Sequence, residues 1–161
     1  MFNRKYYSKI QIATLVISRV LIGWYCLYEG MVKLMNPNWS SFAYLNDSQG
    51  WLAPVFKGMA SYTNLLPVID FLNVWGLIAI GLGLILGILT RIATLSGIVL
   101  ISLYCLSHPS LIISNYTMPS TETTMWVGKN LIFVFLLMIL YVFPTGKIIG
   151  VDRLLFKYKN T

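Results

Sequence analysis

The sequence predicts an all-α membrane protein: a four-helix transmembrane bundle, N-in/C-in, with short interfacial helices in its first outer loop. Composition is the first observation. Of 161 residues, 57% are hydrophobic and 11% charged, and mean hydropathy is +0.73. A soluble domain carries about a quarter charged residues, and a core this small cannot hide so much apolar surface. The second observation is four apolar runs, each reaching or approaching the ~20 residues that cross ~30 Å of hydrocarbon. The third is that the basic residues flank those runs, which suits an anionic lipid surface. The net charge of +7 therefore points to membrane lipids and not to nucleic acid.

The elements follow in order. The first span covers roughly residues 10–35. It is longer than a signal peptide's apolar region, contains Arg19 and has no small-residue cleavage site. The second span, 69–89, ends beside Thr90-Arg91, so a tight antiparallel hairpin leads into the third, 92–113. Pro109 interrupts that run and can end it at His108. The fourth, 127–143, stops at Pro144. Together they form one domain over residues 1–161. Orientation follows from charge: an inner N-terminus keeps Arg4, Lys5, Lys9, Arg91, Lys147, Arg153, Lys157 and Lys159 in the cytoplasm. Only Lys33, Lys57 and Lys129 are then left outside.

The first outer segment, 36–67, is too long for a plain loop. Trp39, Phe42, Ala43 and Leu45 are spaced for one helical face, and Trp51, Val55, Phe56 and Met59 for another. Two short helices on or in the outer leaflet are expected. On the second span, Gly83 and Gly87 make a GxxxG step. It serves packing within the chain or a homodimer face. Cys26 and Cys105 read as small core residues. One His without a Cys cluster offers no metal or haem centre, and no covalently bound cofactor is expected.

Polar residues inside spans carry the functional reading, because each is costly in lipid. At 100° per residue Arg19, Cys26, Glu29 and Lys33 fall within about 80° on one helix face. Arg19 either faces the interior or snorkels to the inner surface. Lys33 leans back toward Glu29, and Glu before Lys at i,i+4 is the favourable order for an ion pair. Such a pair is a weak stabiliser in or out of water. It is either structural or part of a polar pocket open to the outer side. Asp70, Asn73, His108, Lys129 and Asn130 fall at the same depth, with Trp24, Trp39, Trp51 and Trp75 as expected walls.

Three stretches, "SRVLIGWYCLYEGMVKLMNP", "DFLNVWGLIAIGLGLILGILTRIA" and "KNLIFVFLLMILYVFPTGKIIGVDRLL", resemble the DoxX family of small bacterial membrane proteins. The likeness rests on the order of Arg19, Gly30 with Lys33, Gly81 through Arg91, and Lys129 with Asn130 across the chain. It implies a four-helix bundle in the bacterial cytoplasmic (inner) membrane, linked to quinone-dependent redox complexes. The leading expectation is a quinone-interacting integral membrane subunit of an oxidoreductase, passing electrons from a redox partner on the outer side to the quinone pool. Glu29 and Lys33 would serve the chemistry. Arg19, Trp39, Asn73, His108, Lys129 and Asn130 would surround the ring. The alternatives are a non-catalytic anchor or assembly subunit for an extracytoplasmic partner, and transport of a small solute or proton.

Overall fold

In the computed structural model, which describes residues 8–49, 51–62, 64–109, 128–143 and 145–152, every regular element is helical. The order is α1 (Lys9–Met35), α2 (Phe42–Asn46), α3 (Ala53–Ser61), α4 (Leu66–Leu86), α5 (Thr90–Ser107) and α6 (Lys129–Val142), followed by a 3-10 turn at Thr145–Lys147. Among the described residues, α1, α4 and α5 are long and apolar enough to cross a membrane. The fourth expected span is a shorter apolar helix of 14 residues, about 21 Å long.

Backbone chemistry sets the boundaries. Ser8 and Gln11 form a capping box that starts α1. α4 begins three residues before the expected 69, because Pro67 sits in its first turn, where a missing N–H costs nothing. It ends at Leu86, three residues before the expected 89. Gly87 takes the left-handed conformation (φ 70°) as its C-cap, the usual role of glycine there. α5 starts at Thr90 rather than Ile92 and ends at Ser107, one residue before His108 and two before Pro109. The expected continuation over 110–113, and the flanking charges Arg4, Lys5, Arg153, Lys157 and Lys159, lie outside the described residues.

The helices pack as α1 on α4, α4 on α5 and α5 on α6, with α1 and α6 also in contact. The interior is apolar and centred on Ile22, Cys26, Leu77, Leu84 and Leu137. The closest approach is α1 to α4. A Cβ on Gly81 would lie 2.6 Å from the Leu27 backbone nitrogen, and one on Gly23 would lie 2.9 Å from Leu84 Cβ. Only glycine permits that separation. Gly83 faces Ala93 of α5, and Gly87 lies against Gly150 and the Arg19 guanidinium. The GxxxG step is thus used within the chain.

At the hairpin end, residues 145–152 close over the helices as a clasp. Arg19 is 3% exposed. It donates to Thr145 Oγ1 (3.3 Å) and the Ile149 carbonyl (2.9 Å). The Val151 and Asp152 N–H groups donate to the Leu86 and Gly87 carbonyls, the orphan acceptors at the end of α4. Leu89 holds a positive φ of 47° and gives α5 no side-chain cap. Asp152 supplies the cap instead, accepting from Leu89 N (2.7 Å) and Thr90 N (3.0 Å).

At the opposite end, α2 and α3 do form, but with different faces from those expected. Leu45, Phe56 and Ala60 are buried together. Phe42, Ala43, Trp51, Val55 and Met59 are exposed, Trp51 to 79%.

Candidate functional site

Three helices converge on one lysine at the α2–α3 end. Lys33 lies in the last turn of α1, and its half-buried ammonium donates to Asn73 Oδ1 of α4 at 2.9 Å. A second, longer contact reaches Tyr104 Oη of α5 at 3.4 Å. The ammonium also lies 5.1 Å from the Trp39 ring and 5.3 Å from the Tyr104 ring. Both distances are within the range where a cation is drawn to an aromatic face. Among the described residues the charge is therefore held by neutral oxygens and π-faces, in a cradle built from α1, α4, α5 and the segment after α1.

The expected Glu29–Lys33 ion pair does not form. Among the described residues Lys33 makes no ion pair with Glu29, and its shortest hydrogen bond crosses to Asn73, forty positions along the chain. Antiparallel packing of α4 on α1 places an amide oxygen beside the lysine. Glu29 remains half-buried one turn deeper on α1. Tyr104 was not anticipated. A hydroxylated aromatic four positions before His108 was the available signal, but only helix packing reveals which lysine it meets.

A second layer builds the roof. Asp70, at the start of α4, accepts from the Ser41 backbone N–H (2.8 Å), from Ser40 Oγ (3.0 Å) and from the Ser41 hydroxyl. That carboxylate ties the chain leaving α1 to α4 and fixes where Trp39 sits. The Gln49 N–H donates to the Ser107 carbonyl at the end of α5 (3.1 Å). Tyr44 of α2 stacks on His108 with centroids 4.1 Å apart and meets Tyr104 edge-on at 5.9 Å. His108 thus reaches the cradle through Tyr44, while its Nδ1 lies 3.1 Å from Ser107 Oγ.

Of the residues expected at a site, Lys33, Asn73 and Trp39 come together, Glu29 lies beside them and His108 stands one ring away. Lys129 is exposed and Asn130 half-buried at the start of α6, and neither is a partner of Lys33. Arg19 belongs to the clasp, fourteen residues or about 21 Å along α1. Trp24, Trp51 and Trp75 point outward and do not wall the cradle. No group of three or more potential metal ligands occurs among the described residues.

Three membrane-length apolar helices, glycine-tight packing and polar groups gathered at the two ends define a multi-pass helical membrane protein. The model of the DoxX family matches residues 14–108, from α1 through the end of α5, and the chain belongs to the DoxX family. No curated protein and no solved structure matches it.

Proposed function

We propose that this protein is the quinone-interacting subunit of an oxidoreductase in the bacterial inner membrane. In this reading it is a four-span bundle with both termini cytoplasmic, and the Lys33 cradle lies in the outer leaflet. The observation that carries the reading is the half-buried Lys33 ammonium held between Asn73, Tyr104 and the Trp39 ring. A quinone needs an apolar slot with a few convergent polar groups, and its carbonyl oxygen is an acceptor for a lysine donor. Trp39 and Tyr104 supply ring faces. Glu29, one turn deeper, is placed to pass a proton. Reduction to the quinol takes two electrons and two protons. Side chains of this kind move protons, so the electrons come from a partner on the outer side that carries a flavin, haem or nicotinamide.

Purification in mild detergent, with mass spectrometry of extracted lipids and co-purifying proteins, tests this. The expected result is quinone near one per chain, lost in Lys33→Met, with a redox protein bound. Equal quinone in both proteins, at the level of bulk membrane carry-over, would sink it.

The exposed Val55 and Met59 on α3, with Trp51 in the turn before it, support a second reading, a docking platform for an extracytoplasmic partner. Charged substitutions at Val55 and Met59 that strip the partner while quinone remains would favour it.

A further inference from the structure

We propose that the Lys33 site exchanges protons with one face of the membrane only, the face that carries α2 and α3. The sidedness rests on packing alone. Its meaning for the reaction rests on the quinone reading above and deepens it, by fixing where the protons come from.

Among the described residues, buried polar side chains gather at the two ends of the bundle, and an apolar septum separates them. On α1 the inward face runs from Arg19 to Glu29, ten residues or about 15 Å. Only Ile22, Gly23 and Cys26 are buried between them, and a thiol is a weak donor. From Val74 to Leu86, α4 carries no polar side chain apart from the outward Trp75. On α5 the buried positions between Thr94 and Tyr104 are Gly97 and Ile101. Ser96 is exposed, and Ser102 lies about 140° round the helix from Gly97. The Thr94 hydroxyl donates back to the Thr90 and Arg91 carbonyls (2.8 and 3.0 Å), toward the hairpin.

At mid-height the four helices close on one another. A Cβ on Gly23 of α1 would lie 2.9 Å from Leu84 Cβ of α4. One on Gly97 of α5 would lie 3.1 Å from Leu137 Cδ1 of α6 and 3.4 Å from Ile80 Cγ2 of α4. Ile22, Leu84 and Leu137 are at most 2% exposed and belong to one cluster. A buried water needs about three hydrogen-bond partners, and this layer supplies none.

The way to the other face is short and polar. Glu29 is six residues, about 9 Å, from the end of α1 at Met35. The Lys33–Asn73 pair lies along that stretch, and Glu29 and Lys33 are both half-buried. At the hairpin end Arg19 and Asp152 are each 3% exposed. A quinone reduced at Lys33 takes two electrons from the partner's redox group and two protons, and becomes the quinol. With all of them supplied from one face, the reaction moves no net charge across the bilayer.

Thiol labelling tests this in the full chain carrying Cys26→Ala and Cys105→Ala. Glu29→Cys is compared with Lys57→Cys on α3 and Arg91→Cys beside the hairpin, both at exposed positions. Sealed vesicles of both orientations are treated with a membrane-impermeant methanethiosulfonate. Glu29→Cys should label from the side that labels Lys57→Cys and show no labelling from the side that labels Arg91→Cys. Labelling from the Arg91 side, from both sides or from neither overturns the proposal. Wild-type protein in vesicles loaded with a pH dye gives a check that needs no substitution. After an outside acid pulse the interior should acidify no faster than in protein-free vesicles. Faster acidification that scales with protein content overturns the septum. Neither measurement contains a quinone, so failure here and failure of the quinone reading are told apart.

Discussion

Asp152 Oδ2 accepts from both the backbone N–H (3.0 Å) and the hydroxyl (2.8 Å) of Thr90, sixty-two positions earlier in the chain. A helix that begins without a cap of its own is capped by the clasp. A carboxylate there also complements the positive end of the helix dipole.

Asp152→Ala should therefore destabilise the fold by about 1–2 kcal/mol, the upper range for losing an N-cap. Thr90→Val removes one of the same hydrogen bonds, so the double variant should cost less than the sum of the two. Thermal unfolding in a mild detergent reads both. Strict additivity would mean that the two residues do not act as a pair.

Gly81→Ala should cost about 1–3 kcal/mol, the range for overpacking a tight contact. Its new Cβ would lie 2.6 Å from the Leu27 nitrogen and 2.8 Å from the Gly23 carbonyl oxygen, both rigid backbone. Gly76→Ala is the control. It meets nothing within 4 Å and should be neutral or up to about 1 kcal/mol more stable through helix propensity. Equal midpoints for the two variants would contradict the α1–α4 geometry.

Lys33→Met should weaken quinone binding roughly tenfold to a hundredfold, the range for a hydrogen bond to a charged group. Asn73→Leu, which removes the lysine's shortest contact, should act in the same direction by a smaller factor. Titration in nanodiscs checks both. Full affinity in Lys33→Met would remove the lysine from the site.

Arg19→Met gives the opposite pattern. It leaves the buried Thr145 hydroxyl and the Ile149 carbonyl without their donor, at about 1–3 kcal/mol of stability. Quinone affinity of the folded protein should not change. Loss of binding at unchanged stability would return Arg19 to the ligand site.

Much of the fold was legible because it is written locally. Apolar runs located α1 and α4 to within three residues at each end, and Pro109 marked the end of α5. The misplaced boundaries came from Gly87 and Pro67, whose backbone roles depend on one dihedral or one missing N–H. The site was half legible. Depth along the helices singled out Lys33 and Asn73, since residues at one height in antiparallel helices converge, and Trp39 was expected beside them as an aromatic wall. Rotation was legible for α1, whose face of Arg19, Cys26, Glu29 and Lys33 turns inward, but not which neighbour each residue on it meets. The packing of α4 and α5 decides that Lys33 meets Asn73 and Tyr104 rather than Glu29, and it leaves Trp24 and Trp75 facing outward. The two short outer helices show the same limit. Their existence followed from aromatic spacing, while their buried face, Leu45 with Phe56 and Ala60, depends on contacts with Leu66 and Ile69 of α4.

The clasp also sets an order of events during synthesis. Arg19 is made long before its hydrogen-bond acceptors, Thr145 and Ile149, which lie 126 and 130 positions later. Until residues 145–149 are made the guanidinium lacks these partners, and a buried cation without one is costly. The first helix can settle against α4 at its glycine-rich upper half while its lower half stays open to water or lipid headgroups. Arrival of residues 145–152 seals it. A ribosome stalled before Thr145 should thus hold a nascent chain in which Leu15→Cys, one turn before Arg19 and packed against the core in the folded protein, reacts with a water-soluble maleimide in a background free of Cys26 and Cys105, and extension past Asp152 should suppress that labelling.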